Sequence, residues 1–273
     1  MRREVLAALL VLSAVVLVAA VALPAVTEAR PAFEIPVYHA DEAGDLDRVD
    51  GTDWTATPAA SVPLASAGAA VPGGEDTTVD RIDVKAARTD DRLYLRLAWP
   101  DPSPDRSTDR IRAFADAVAV QLPVEETERP PIAMGGLDNQ VNVWFWRADG
   151  TVEELLAGGV GTTTRFEDPM LNADATHADG RWRVVMDRPL EPTGSNRTAI
   201  STETDVDVAL AAWNGSNLER SGQKAASEWY HLALGPGPSG PPFEMILWTI
   251  AGLAIVFTTL VTIEGIRRTR GEG

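Results

Sequence analysis

Two residues carry side chains that could bind a metal through a soft or neutral donor atom. Met134 lies in the run Pro-Pro-Ile-Ala-Met-Gly-Gly, in which Gly135 and Gly136 would let the backbone approach a bulky flat ligand. The thioether of methionine is a soft ligand for iron. Methionine also fills irregular gaps in protein cores, and residue type alone favours that more ordinary role.

Lys224 is unusual because the chain contains almost no lysine. Of the 24 basic residues, only Lys85 and Lys224 are lysine, and the others are arginine. A neutral amine can act as a nucleophile or bind a metal, whereas arginine can do neither. An ordinary exposed lysine also explains the position, and residue type alone favours that interpretation.

The chain lacks the side chains that most catalytic and metal centres need. It has no cysteine, which excludes disulfides, thiolate nucleophiles, iron–sulfur ligation and the covalent attachment of a c-type haem. Its histidines, His39, His177 and His231, are too scattered to build a zinc or di-iron site. No Ser/His/Asp order or glycine-rich phosphate loop stands out, so hydrolytic and nucleotide-dependent activities have no support.

Alternating apolar and polar residues predict that a β domain positions these candidates. The predicted strands cover residues 82–86, 93–99, 118–122, 141–146, 182–186, 206–213 and 229–234, and short helices are predicted at 110–116 and 152–157. Because the strands do not alternate with long helices, we expect an all-β domain, an antiparallel β-sandwich of immunoglobulin-like type.

Two long apolar runs frame this domain. Residues 5–23 follow two arginines and predict a signal peptide or N-terminal membrane segment, and uncharged residues 245–263 precede an arginine cluster, as in a transmembrane helix. The expected division is a leader at 1–29, an exported domain at 30–234, a Pro/Gly linker at 235–242, a transmembrane helix at 243–266 and a cytoplasmic tail at 267–273. The arginines place the main domain on the extracytoplasmic side of the cell membrane.

The charge of the chain excludes one class of partner. A formal net charge of −16 argues against nucleic acid as a ligand. Acidic excess combined with arginine in place of lysine is typical of a surface solvated in concentrated salt, so we interpret the chain as a halophilic exported protein.

Six segments together resemble a known family. They are 50–54 (Asp-Gly-Thr-Asp-Trp), 93–101, 116–123, 141–146 (Val-Asn-Val-Trp-Phe-Trp), 211–215 and 219–224. Their order is similar to that in the haem-b γ subunit of ethylbenzene dehydrogenase and in γ subunits of DMSO-reductase-type molybdoenzymes that act on nitrate, selenate, chlorate or dimethyl sulfoxide. The resemblance covers roughly residues 45–234.

The resemblance implies a cofactor and its ligands. In that family one haem b is held between a methionine and a lysine on a β-sandwich, and Met134 and Lys224 stand at the corresponding places. The residues expected to contact the haem are these two ligands with Gly135, Gly136, Trp144 and Trp146. The C-terminal apolar run departs from the soluble γ subunit of ethylbenzene dehydrogenase and predicts a tethered member.

The function implied is a membrane-anchored b-type cytochrome subunit that is not itself an enzyme. It would pass electrons between the membrane pool and a complex of a molybdopterin catalytic subunit and an iron–sulfur subunit. One alternative is a sandwich cytochrome with Met/His ligation, in which His177 or His231 replaces Lys224. Another is a carbohydrate-binding β-sandwich module whose tryptophans stack on sugar rings.

Overall fold

The computed structural model describes residues 33–68, 70–125, 128–235 and Thr258. The chain divides into two compact units, residues 1–235 and 236–273. The predicted leader at 1–29 lies outside the described residues, as does the predicted membrane helix at 243–266 apart from Thr258. Among the described residues, no helix has the length and apolar character needed to cross a bilayer.

The described part of the first unit is built from fourteen strands and confirms the all-β class. The strands are β1 (Glu34–His39), β2 (Ala59–Pro63), β3 (Ala65–Ser66), β4 (Arg81–Arg88), β5 (Arg92–Pro100), β6 (Ala117–Pro123), β7 (Val141–Arg147), β8 (Val152–Ala157), β9 (Thr164–Arg165), β10 (Asn172–Ala178), β11 (Arg181–Pro189), β12 (Val206–Trp213), β13 (Ala225–Ala226) and β14 (Tyr230–Ala233). The described helices are single 3₁₀ turns at Asp53–Thr55 and Gly215–Asn217.

Both predicted short helices are wrong. Residues 152–157 form β8, in which Leu155 pairs with Val143 of β7. The run Val-Glu-Glu-Leu-Leu-Ala is rich in helix formers, but pairing with a neighbouring strand overrides intrinsic propensity. Residues 110–116 form turns and an extended approach to β6, held at their end by Asp116, whose carboxylate accepts hydrogen bonds from Gly215 N and Trp182 Nε1.

The strands fall into two halves joined through β1. Half-sheet I contains β2, β4, β5, β10 and β11, and half-sheet II contains β3, β6–β9 and β12–β14. Residues 34–36 of β1 pair with β14, and residues 37–39 pair with β4. Both pairings are parallel, whereas the other strand pairs are antiparallel, so the strictly antiparallel prediction is wrong at β1. The immunoglobulin-like arrangement stays a prediction.

The core lies between the two half-sheets. Trp99 and Trp182 of half-sheet I stack with ring centroids 6.4 Å apart, and Trp146 of half-sheet II meets Trp182 edge-on at 5.0 Å. All three belong to one buried cluster that spans both half-sheets. Burial of each such side chain contributes a few kcal/mol, so the inner faces supply most of the stability.

The outer faces of the two half-sheets differ. The outer face of half-sheet I is covered by residues 40–54, where Leu46, Val49 and Trp54 are buried against Tyr94 and Val185. The outer face of half-sheet II carries a second cluster in which several apolar side chains stay only partly buried. The structure therefore leaves one sheet face with accessible apolar surface.

Candidate cofactor site

Small side chains make the centre of this outer face flat. Ala119 of β6 pairs with Ala211 of β12, and Gln121 of β6 pairs with Ala209 of β12. Because alternate residues of a strand point to the same face, the three alanines form one floor. Larger side chains surround the floor and leave it shallow; they are Val143, Phe145, Leu155, Trp213 and Trp229.

Met134 packs against the apolar cluster that contains this floor, from a loop of residues 130–139, here called the methionine loop. Gln121 Nε2 donates to Ile132 O at 2.9 Å, and Trp229 Nε1 donates to Pro130 O at 3.0 Å. Gly159 N donates to Met134 O at 2.9 Å. Met134 itself has a φ of 66°, which is costly for a residue with a side chain and recurs at functional sites. The loop is therefore held in place with Met134 in a strained backbone conformation.

The two glycines after Met134 differ in their surroundings. Gly135 has a φ of 73°, and a Cβ there would lie 2.6 Å from Asn139 O, so only glycine fits this turn. A Cβ at Gly136 would meet nothing closer than the Pro131 ring at 3.8 Å. Gly135 thus serves the shape of the loop, and contact of either glycine with a ligand stays a prediction.

Lys224 reaches the same face from the opposite side. It directly precedes β13, whose Ala226 pairs with Ala211, and the same register sets Lys224 opposite Trp213. Lys224 Nζ lies 5.2 Å from the centroid of the Trp213 ring. Burial lowers the pKa of this amine, and within the described residues no carboxylate forms an ion pair with it. The amine is therefore easier to deprotonate than an exposed lysine.

Lys85, the other lysine, is occupied elsewhere. It lies on β4 of half-sheet I, and its Nζ donates a hydrogen bond to Trp54 O at 2.6 Å. The two lysines thus share a residue type and a pKa lowered by burial, but only Lys224 faces the alanine floor.

Trp144 and Trp146 do not lie at this site. Both point into the core between the half-sheets, where Trp144 is 0% and Trp146 is 6% exposed. The residue of β7 between them, Phe145, faces outward and meets Trp213 edge-on at 5.7 Å. Phe145 and Trp213 therefore replace the predicted tryptophans as the aromatic side chains near Lys224. Every residue from 141 to 146 except Asn142 is apolar, so the sequence of β7 does not reveal which face is buried.

The alternative histidine ligands differ in position. His177 lies on β10 of half-sheet I, where its Nε2 hydrogen-bonds Asp101 O at 2.8 Å and its ring packs on Trp182. His231 pairs with Asp207 of β12 and so shares the outer face of half-sheet II. It lines a cavity of about 320 Å³ with Arg129 and Asp207. Of the two histidines, only His231 is on the face that Met134 contacts.

The donor set and the surface fit an iron porphyrin. A thioether and a readily deprotonated amine flank one apolar face, and the alanine floor offers flat surface between larger side chains. Among the described residues, no group of three or more His, Cys, Asp or Glu side chains could hold a metal ion.

The sequence comparisons agree with one another. The family model described as ethylbenzene dehydrogenase matches residues 51–169 and 159–225. A Haloferax mediterranei protein named as a respiratory nitrate reductase haem subunit is 49% identical over 99% of this chain and 98% of its own length. The chlorate reductase γ subunit of Ideonella dechloratans is 33% identical, over 69% of this chain and 80% of its own length.

A further relative and one solved structure complete the comparison. The dimethylsulfide dehydrogenase γ subunit of Rhodovulum sulfidophilum is 36% identical, over 58% of this chain and 62% of its own length. A family 9 carbohydrate-binding module of Caldicellulosiruptor kristjanssonii aligns with 77% of this chain and 100% of its own at 12% identity and a TM-score of 0.44. The family match and the near full-length relative show that this chain belongs to the ethylbenzene dehydrogenase family, together with the γ subunits named above.

Proposed function

We propose that this chain is a membrane-anchored b-type cytochrome subunit that holds one haem b between Met134 and Lys224. It transfers electrons for a molybdopterin oxidoreductase complex and does not itself transform a substrate. The observation that carries the proposal is the placement of a thioether and a buried amine around one apolar sheet face. Relatives named as haem and γ subunits of reductases support it.

The chain's own residues prepare both ligands. Hydrogen bonds from Gln121 and Trp229 anchor the methionine loop, so binding of iron by the thioether would cost the loop little conformational entropy. Lys224 rests on the Trp213 ring, and burial disfavours its ammonium form, which cannot bind iron. When bound, the haem supplies one-electron exchange between ferrous and ferric iron, and a thioether ligand favours the ferrous state.

The proposal includes a location and partners. The apolar runs at 5–23 and 245–263 and the arginines beside them support a cell-membrane protein whose main domain is extracytoplasmic. The partners are a molybdopterin catalytic subunit and an iron–sulfur subunit. The chain passes electrons between these partners and the membrane pool. The acidity of the chain, with a net charge of −16, suits a halophilic host.

The ligands are tested by absorption spectra of purified variants. Met134→Ala and Lys224→Ala should each lose the six-coordinate low-spin spectrum, or the haem itself, because each removes a donor atom that would hold the iron. The matched controls are Met170→Ala, in a loop that contacts Thr193, and Lys85→Ala on half-sheet I. Both controls should keep sharp b-type bands after dithionite reduction.

Two results would replace the proposal with an alternative. If Lys224→Ala keeps the low-spin spectrum and His231→Ala loses it, the haem has Met/His ligation. If the wild-type protein shows no b-type bands even after reconstitution with haem, the cytochrome function is wrong and the carbohydrate-binding module is favoured.

A further inference from the structure

Exposed apolar side chains are concentrated beside Met134. Leu137 is 81%, Val160 is 73% and Ile132 is 39% exposed, and we call these three residues the apolar patch. Ile132 and Leu137 belong to the methionine loop, and Val160 belongs to the turn that follows β8. The hydrogen bond from Gly159 N to Met134 O, at 2.9 Å, joins the two segments. The patch therefore surrounds the backbone of the proposed iron ligand.

The patch is presented by backbone with defined hydrogen bonds. Gly136 N donates to Asn139 O at 2.8 Å, and Gly135 N donates to Pro131 O at 2.9 Å. On the other side, Gly158 N donates to Thr162 Oγ1 at 3.0 Å, and Thr162 Oγ1 donates to Gly159 O at 2.7 Å. Preorganised loops lose little conformational entropy when a partner binds. An exposed leucine and valine on such loops are suited to recognition.

The patch is also nearly free of charge. Residues 130–141 include one charged side chain, that of Asp138, and residues 155–164 include none. This is unusual on a chain with a net charge of −16, and the centres of protein interfaces are depleted of charge in the same way. An acidic partner would be repelled by most of this chain, and the patch removes that repulsion locally.

We propose that the apolar patch is the docking face for the redox partner subunit of the complex, an inference that rests on the proposed function. The partner presents an apolar, weakly charged surface around its own electron-carrying centre. Docked there, it sits against the loop that holds the iron ligand Met134, which makes the protein path to the haem short. The contact depends on burial of apolar surface, so sulfate should strengthen it.

The test uses the full-length chain purified from native membranes with its complex. The double variant Leu137→Glu/Val160→Glu places two carboxylates in the contact, and the control Ile111→Glu makes the same change at a side chain that is 97% exposed in another loop. The molybdenum content per haem should fall about tenfold or more in the double variant and stay at the wild-type value in the control. The low-spin haem spectrum should be unchanged in both.

The outcomes separate this inference from the proposed function. Suppose that the wild-type protein carries haem and molybdenum and that the double variant has the same molybdenum content per haem. That result would overturn the docking face and leave the proposed function standing. If that ratio is unchanged but the double variant loses self-association in sedimentation, the patch binds a second copy. If it instead loses binding to phosphatidylcholine vesicles, the patch binds lipid. Wild type with neither haem nor molybdenum would overturn the function and the docking face together.

Discussion

At the residue scale, the central feature is an amine that sits beside an aromatic ring and has no acidic partner among the described residues. Lys224 Nζ lies 5.2 Å from the Trp213 ring centroid, a distance at which the ring stabilises the ammonium form. Burial lowers its pKa below the ordinary 10.5. Ligation requires loss of the proton, and the local environment already favours that loss.

We therefore predict that lysine ligation depends on pH. As the pH falls below the lowered pKa of Lys224, each further pH unit should cost about 1.4 kcal/mol of ligation free energy, because the proton competes with iron. The low-spin ferric spectrum should be lost on acidification and return when the pH is raised. Absorption spectra recorded across a pH series measure this.

The haem-free protein should show a related change in stability. The unfolded lysine binds its proton more tightly than the folded one, so the free energy of unfolding should rise with pH up to about 10.5.

For the pH titration of the haem spectrum, Lys85→Met serves as the control. The pKa of Lys85 is also lowered by burial, but Lys85 does not face the alanine floor. A low-spin spectrum that titrates in Lys85→Met as in wild type agrees with the assignment. A wild-type spectrum unaffected by acid argues against lysine ligation.

The sequence identified the candidate ligands only because of the family resemblance. Residue type favoured a packing role for Met134 and an ordinary exposed position for Lys224, because the type of a residue does not reveal what surrounds it in the fold. The burial of Lys224 depends on contacts with residues distant in sequence, and no local pattern encodes them. Trp144 and Trp146 were predicted to contact the haem but lie in the core. The sequence of β7 is apolar on both faces, so it does not show which side chains face the core.

At the element scale, the methionine loop depends on two consecutive residues with positive φ, Met134 at 66° and Gly135 at 73°. Gly135 fits because the space of a Cβ is occupied by Asn139 O. The loop therefore positions the thioether through backbone geometry as much as through side-chain packing.

We predict that Gly135→Ala weakens haem binding by displacing Met134. The strain and the contact with Asn139 O should cost about 1–3 kcal/mol of unfolding free energy, and haem should dissociate faster. Gly150→Ala is the matched control, since Gly150 has a φ of 93° but a Cβ there would meet nothing within 4 Å. Haem-transfer kinetics to an apo-globin acceptor and thermal unfolding measure the two effects. Equal haem loss in the two variants would contradict this role for Gly135.

Seven of the fourteen described strands were predicted well from sequence. β4, β5, β6, β7, β11, β12 and β14 correspond to the seven predicted runs. β8 was missed because helix formers dominate its sequence. In the structure, Glu154 of β8 is buried in an ion pair with Arg188 of β11. The local sequence pattern cannot reveal this contact, because the partner lies in a distant strand. β1 was also missed, since its parallel partners are far away in sequence.

At the scale of the whole molecule, the described β domain is complete before the proposed membrane anchor begins. Its last strand ends at Ala233, and Gly235 N hydrogen-bonds the Asp205 carboxylate at 3.2 Å. The Pro/Gly segment at 235–242 follows directly in the sequence. The strands and the proposed ligands all precede this segment.

We predict that deletion from Phe243 onward releases a soluble, haem-loaded domain, because no described strand or proposed ligand is removed. Membrane fractionation and the haem-to-protein ratio of the soluble fraction measure this, with the full-length chain as control. A truncated chain that stays in the membrane fraction, with its N-terminal run shown to be cleaved, would contradict the C-terminal tether.

The position of β1 has a consequence for how the protein is made. Of the described strands, β1 is synthesised first, yet one of its two partners is β14, which is synthesised last, and His231 N donates to Phe33 O at 2.9 Å. The junction between the half-sheets cannot close until nearly the whole domain is available, and such distant pairings fold slowly. Lys224 arrives in the same late stretch of chain. Because Lys224 is a proposed ligand of the haem, we predict that the cofactor is inserted only after the polypeptide is complete.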